Sequence, residues 1–301
     1  MQASDIKKVL SIGSGTIAQF IVTQCALFGC EVVIYAFSED EIGAAQKAIK
    51  ERVLQSIIDA NMTTEAYAKE TMGRMRYILT KEEIPADIDL VTESVYEDPA
   101  IKKAVWSEFA PYLPKTAVLT TNTSTMLPSL FAEASGAPER FLSWHFAANT
   151  FFRNLVDVMP HPGTDPRYTR LMADFSRRIG LNPVVIEKEV GSYLANTMLA
   201  SLIVAAMKLL SGGYASATEI DRSWMGVQKV ASGPFGIMDS IGLNTMLLTL
   251  KPLLNETELA PLQALVDGGH LGIKTGQGFY TYPDPAFKRP GFLTDAKPVG
   301  M

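Results

Sequence analysis

The chain is poor in the residues that build metal and disulfide frameworks: its 301 residues include two cysteines and three histidines. Cys25 and Cys30 cannot form a disulfide network, and no grouped histidines complete a ligand set, so no metal is expected. Positive charge is also short, with 27 Lys and Arg against 32 Asp and Glu, a formal net charge of -5. That balance offers no broad positive field to a polyanion and argues against nucleic acid as a partner. Long apolar runs are interrupted as well. The most apolar one, residues 193–210, contains Asn196, Ser201 and Lys208 and reads as a buried helix rather than a membrane span. A strand-like segment begins at Lys7, with no room before it for a basic head, an apolar stretch and a cleavage site. A cytoplasmic protein without a membrane partner is expected. No repeat or low-complexity tract is present.

Apolar residues make up 47% of the chain, enough for a large core without staples. Over residues 7–187, short β-branched runs at 9–12, 32–35, 88–91 and 117–120 alternate with helical stretches such as 16–28 and the segment after Pro99. Such alternation requires crossover connections, so we expect an α/β fold: a Rossmann-type doubly wound sheet, mainly parallel, that binds beyond the carboxyl ends of its strands. A helical insertion at 39–73 is opened by Ser38 and Glu41 in a capping-box arrangement. Ile42, Ala45, Ile49, Val53 and Ile57 share one of its faces. Two uses fit this extra length, projection toward a ligand or an added layer on the sheet. Beyond residue 188 the β pattern ends, and 192–210, 218–230, 243–254 and 258–266 read as helices. The domains are therefore placed at 1–188 and 189–301, the second an all-helical C-terminal domain. A helix apolar nearly all round, as at 193–210, must be covered by its own domain or by a second subunit, and a homodimer is expected. The final dozen residues read as a loosely packed tail.

Directly after the first strand stands Gly13-Ser14-Gly15-Thr16-Ile17-Ala18, a G-x-G-x-x-A element opening a helix. The first Gly permits the tight turn, the second lets backbone approach a pyrophosphate, and the small third residue brings helix and strand together. A dinucleotide cradle is expected. The fingerprint normally ends with an acid after the second strand that bonds the ribose hydroxyls, but Ala36 holds that place. No Arg occurs between Glu31 and Glu51, so NAD is expected while NADP stays open, with Ser38 or Lys47 available for a phosphate.

His145 ends the run Phe141-Leu142-Ser143-Trp144, where a parallel sheet places its site. Asp157, in Leu155-Val156-Asp157-Val158, offers a carboxylate, and Ser124 follows another strand. An imidazole can take or return an alcohol proton while a carboxylate fixes its tautomer and a hydroxyl polarises the oxygen.

With these residues in view, the chain resembles the 3-hydroxyacyl-CoA dehydrogenase family from the glycine loop to Tyr280. Matching stretches include Glu93-Ser94-Val95-Tyr96-Glu97-Asp98 with Lys102, Asn122-Thr123-Ser124, the segments around His145 and Asp157, and Ser192-Tyr193-Leu194-Ala195-Asn196. Gly233-Pro234-Phe235 and the run from Gly272 to Tyr280 also match. His161-Pro162-Gly163-Thr164-Asp165 looks like a bacterial branch that includes reductases of non-CoA diketo compounds. The resemblance implies reversible hydride transfer between a nicotinamide and the 3-hydroxy or 3-keto group of an acyl-CoA. His145 would be the acid–base and Asp157 its partner, with Ser124 and Asn196 as donors to the reacting oxygen. Glu97, Lys102 and Asn122 would contact the cofactor, and the insertion at 39–73 would border the pantetheine arm. Asp157 replaces a usual Glu, which calls for closer backbones or a bridging water. Ala148 replaces a usual Asn, with Asn149 one place later. Two alternatives accompany this reading: a reductase of non-CoA diketo or hydroxy acids and esters, and a catalytically weak, crystallin-like dinucleotide binder.

Bland readings also exist. Asn196 suits a buried amide in an apolar helix, Glu97 the start of the next helix, and Lys102 a solvated helix position. His161 and His270 read as loop residues. Gly276 and Gly278 read as a bend before an aromatic strand.

Overall fold

A computed structural model of the chain describes residues 1–146 and 150–293. It divides into two compact units, Met1–Tyr193 and Leu194–Met301, a few residues beyond the boundary read from the sequence.

The first unit is built on one eight-stranded sheet. In chain order it runs β1 (Lys8–Ile12), α1 (Thr16–Leu27), β2 (Glu31–Tyr35), α2 (Glu39–Ala48), a π-helical turn at Ile49–Leu54, α3 (Gln55–Asp59), α4 (Glu65–Gly73) and β3 (Met75–Ile78). Then come β4 (Leu90–Glu93), α5 (Pro99–Phe109), β5 (Val118–Thr121), α6 (Ser129–Ala132) and β6 (Phe141–Phe146). The unit closes with α7 (Thr150–Arg153), β7 (Leu155–Pro160), α8 (Pro166–Arg178) and β8 (Asn182–Val185). The spatial order is β3-β2-β1-β4-β5-β6-β7-β8, and all neighbours are parallel except the β6–β7 pair. Parallel strands are covered on both faces, which is why β1, β2, β4 and β5 read as nearly unbroken apolar runs. One core cluster joins α1, the insertion and α8; the other joins α5 and α6 to the opposite face.

One strand departs from the sequence reading, and the insertion takes one of its two expected uses. β4 lies two residues later than residues 88–91, because Thr92 and Glu93 are fully buried and continue the strand. Polar residues there look like a strand end until their partners are known. The insertion forms an added layer: Ile49, Val53 and Ile57 are buried in the cluster that contains Phe20, Ile21 and Cys25. That apolar face packs against α1.

The second unit contains α9 (Tyr193–Ser211, beginning one residue before the unit boundary), α10 (Ala217–Gln228), α11 (Pro234–Ile241), α12 (Leu243–Leu250) and α13 (Glu256–Asp267). Two buried acids tie its turns. Asp221 accepts from the Phe235 and Gly236 N–H groups and the Tyr280 hydroxyl, and Asp239 from the Phe279 and Tyr280 N–H groups and the Tyr282 hydroxyl. Burial raises both carboxyls above their ordinary range. Gly278 lies against Asp239 so closely that a Cβ would fall 2.0 Å from Oδ1, which explains the glycine there. The aromatic stretch after it forms isolated bridges and no strand, because its N–H groups go to Asp239. Of the expected tail, residues 294–301 lie outside the described residues; Phe292 before them is buried, and Arg222 donates to its carbonyl and lies over its ring.

Candidate active site

The glycine loop joins β1 to α1 at the carboxyl edge of the sheet. Gly13 has φ +107°, and a Cβ there would lie 2.9 Å from the Ser94 carbonyl oxygen, so both torsion and space demand glycine. Gly15 is the N-cap of α1 and supplies no capping side chain. Nothing lies within 4 Å of its Cβ position. The first N–H groups of a twelve-residue helix thus have no capping side chain and stand at the positive end of its dipole, an arrangement that fits a pyrophosphate. Ala18 is buried against the strand, as the small third position requires, and Thr16 and Ile17 form the first turn of the helix. Next to the loop, the Ser94 hydroxyl is buried without a partner among the described residues. Ala36 is fully buried at the end of β2.

The acid–base group stands at the same edge. Ile12, Glu93, Thr121 and Ser143 are level across β1, β4, β5 and β6, which puts His145 just beyond the line of Gly13. Three strand spacings separate β1 from β6, about 14 Å, the scale of an extended dinucleotide arm. His145 and Asp157 are directly opposed on antiparallel β6 and β7. Their Nδ1 and Oδ2 atoms lie 3.0 Å apart, so the shorter aspartate arm reaches without a bridging water. With Nδ1–H donating to Asp157, Nε2 carries the lone pair and faces the Ser124 hydroxyl at 3.3 Å. Ser124, His145 and Asp157 thus form one line of hydrogen bonds.

Beneath this line is a charged clamp. The Glu97 carboxylate accepts from the Thr123 hydroxyl at 2.6 Å, the Ser124 N–H at 2.8 Å and the Thr125 N–H at 3.1 Å, fixing the loop that carries Ser124. Burial raises the Glu97 carboxyl, but the Thr123 hydroxyl, the Lys102 charge and the two N–H groups outweigh it and hold it below the usual range. Lys102 is 1% exposed rather than solvated. Its ammonium reaches Glu93 at 2.7 Å, Glu97 at 3.3 Å and the Val95 carbonyl at 3.3 Å, so it serves the site by holding two acids in place. Glu93 also accepts from the Thr121 hydroxyl and the Val95 N–H. Asn122 is buried, and its amide oxygen takes the Phe146 N–H, locking the ends of β5 and β6 together. Lys102→Met would leave Glu93 buried without its counter-charge. A loss of about 3–5 kcal/mol in unfolding free energy is expected, read from urea denaturation; an unchanged midpoint would contradict this role.

Tyr193 is a site residue that the sequence did not reveal. Its ring lies parallel to the imidazole of His145, with centroids 4.2 Å apart and planes 7° from coplanar. Its hydroxyl donates to the Thr123 carbonyl at 2.7 Å. Ser192 and Tyr193 both adopt the left-handed region, φ +64° and +59°, a conformation that costs free energy for non-glycine residues and here brings the ring onto His145. Burial pushes its phenol above the ordinary value. Asn196 is carried on α9 in the second unit and is exposed, not buried. Ala148 and Asn149 lie outside the described residues. His161 is structural: it accepts the Gly163 N–H on Nδ1 and donates from Nε2 to the Pro138 carbonyl.

A phosphate cradle and an oriented imidazole on one sheet edge define a nicotinamide dinucleotide-dependent dehydrogenase. Family models agree. One described as 3-hydroxyacyl-CoA dehydrogenase, NAD binding domain, matches residues 8–190, and its C-terminal domain counterpart matches residues 193–282. The chain belongs to the 3-hydroxyacyl-CoA dehydrogenase family. It is 28% identical over 288 residues to a 3-hydroxybutyryl-CoA dehydrogenase of Bradyrhizobium diazoefficiens, covering 93% of this chain and 97% of that protein. It is 27% identical to the fatty acid oxidation complex subunit alpha of Pseudomonas putida, covering 98% of this chain but 41% of that longer protein. Among solved structures, a diketoreductase superposes with a TM-score of 0.86 at 30% identity, over 92% of this chain and 99% of that one.

Proposed function

We propose that this chain transfers a hydride reversibly between a nicotinamide dinucleotide and the C3 carbon of a 3-hydroxyacyl or 3-ketoacyl-CoA. The observation that carries the reading is the hydrogen-bonded line from Ser124 through His145 to Asp157, on the sheet edge that also bears the glycine cradle. Bound there, the nicotinamide supplies the hydride acceptor or donor. In oxidation, Nε2 of His145 would take the proton of the substrate hydroxyl; in reduction it would return that proton to the carbonyl oxygen. Asp157 stabilises the imidazolium in between, and the Ser124 hydroxyl donates to the reacting oxygen. Gly13, Ser14, Gly15, Thr16 and Ile17 would hold the pyrophosphate. Glu97 and Asn122, which fix the Ser124 loop and the ends of β5 and β6, would border the cofactor, and Asn196 is assigned as a second donor to the substrate oxygen. The test is NADH oxidation with acetoacetyl-CoA beside a free diketo ester. Turnover of the thioester supports the proposal. The likeness to a diketoreductase favours a second reading, reduction of non-thioester diketo compounds, and turnover of the ester alone would select it. Cofactor binding without any turnover would select the crystallin-like reading.

The reading includes a cytoplasmic homodimer. The sequence suggested a buried helix at 193–210, yet only 17% of the apolar window of α9 is buried within the chain. Leu194, Met198 and Leu209 are exposed along it. By length and composition α9 could span a membrane, but Asn196, Thr197 and Ser201 on an otherwise apolar helix suit a protein partner better. Sedimentation is expected to give twice the 32.8 kDa chain mass, and Met198→Asp to shift the protein to monomer. A native chain that sediments as a monomer would remove the dimer.

A further inference from the structure

We infer that Glu41 supplies the acid missing at Ala36, so that the protein selects NAD over NADP from the first turn of α2 instead of the end of β2. The inference rests on the cofactor assignment above. Glu41 Oε2 accepts from the Ser14 hydroxyl at 3.2 Å and from the Phe37 N–H at 3.0 Å. Those partners are the second residue of the glycine loop and the residue after Ala36, so the carboxylate bridges the two segments between which a ribose-binding acid must stand. Ala36 itself is fully buried and offers no polar atom. Ser38 fixes the start of α2 by accepting the Glu41 N–H, which holds the acid in place. Both side-chain contacts use Oε2, leaving Oε1 without a protein partner among the described residues and able to accept from the two hydroxyls of an adenosine ribose.

The same carboxylate would repel a 2′-phosphate, and nearby cations do not offset it. Lys47 lies on the exposed surface of α2 and pairs with Glu51, while Arg52 donates to the Gln19 side chain and stacks over Phe20. Dissociation constants for NADH and NADPH, measured by titration calorimetry on the full chain, test the assignment. The native protein should bind NADH more tightly. Glu41→Gln should weaken NADH by about ten- to hundredfold, the range for a hydrogen bond to a charged group, with NADPH unchanged or tighter. Adding Ala36→Asp to that variant should restore the preference. Ser38→Ala, which removes the helix cap but keeps the carboxylate, should retain most of it. An unchanged NADH-to-NADPH ratio in Glu41→Gln, or an equal loss in Ser38→Ala, would overturn the inference. Failure of the native chain to bind either cofactor would overturn the dehydrogenase reading itself.

Discussion

His145→Gln is expected to lower kcat by about 10²–10⁴-fold in both directions, the range for loss of a well-placed acid–base group. The dissociation constant for NADH should stay near the native value, because the cradle is three strands away on the same sheet. Glutamine keeps a polar side chain of similar reach and can donate to Asp157, so Asp157 is not left unpaired and the fold should persist. It cannot take a proton from the substrate hydroxyl or become a cation. Single-turnover mixing with pre-bound NADH separates the two effects. Hydride transfer at the native rate would show that His145 is structural and end the case for its chemistry, whereas a loss confined to cofactor affinity would place it in binding.

Much of this was legible in the sequence because it depends on local order. The strand–glycine–helix succession marks the cradle, and β-branched runs separated by helices mark the sheet. His145 and Asp157 are twelve residues apart on two strand-like segments, close enough along the chain to suggest a pair. What was hidden depends on partners that sequence does not show. Glu93 and Lys102 each look solvated, and only their mutual burial makes them a clamp. Tyr193 reads as one more apolar helix residue, since nothing in the chain announces two successive left-handed torsions. β3 was missed because Met75, Arg76 and Tyr77 lack a clear apolar run, the strand lying at the sheet edge where one side needs no covering partner. The length of α9 was clear, but its exposure was not: composition says that such a helix must be covered without saying by which chain.

Asp157→Asn is expected to cost nearly as much as removal of the imidazole, on the order of 10²–10⁴-fold in kcat. An amide oxygen facing Nδ1 preserves the geometry but gives the imidazolium no counter-charge. The flipped amide donates to Nδ1 and forces the hydrogen onto Nε2, where the lone pair is needed. Asp157→Glu makes a sharper comparison, because it keeps the charge and lengthens the arm by one methylene. Cβ atoms of directly opposed antiparallel residues are about 4.5–5.5 Å apart, and Oδ2 already reaches Nδ1 at 3.0 Å. An added methylene must push the ring or fold away from it. Tyr193 lies against one face of that ring at stacking distance and is itself tied to the Thr123 carbonyl, so the imidazole has little room to yield. Asp157→Glu should therefore also lose kcat, by less than Asp157→Asn, and should regain activity when Tyr193→Leu is added to relieve the ring. Full activity in Asp157→Glu alone would mean that β6 and β7 give way easily and that the pair's direct register is not what sets the imidazole.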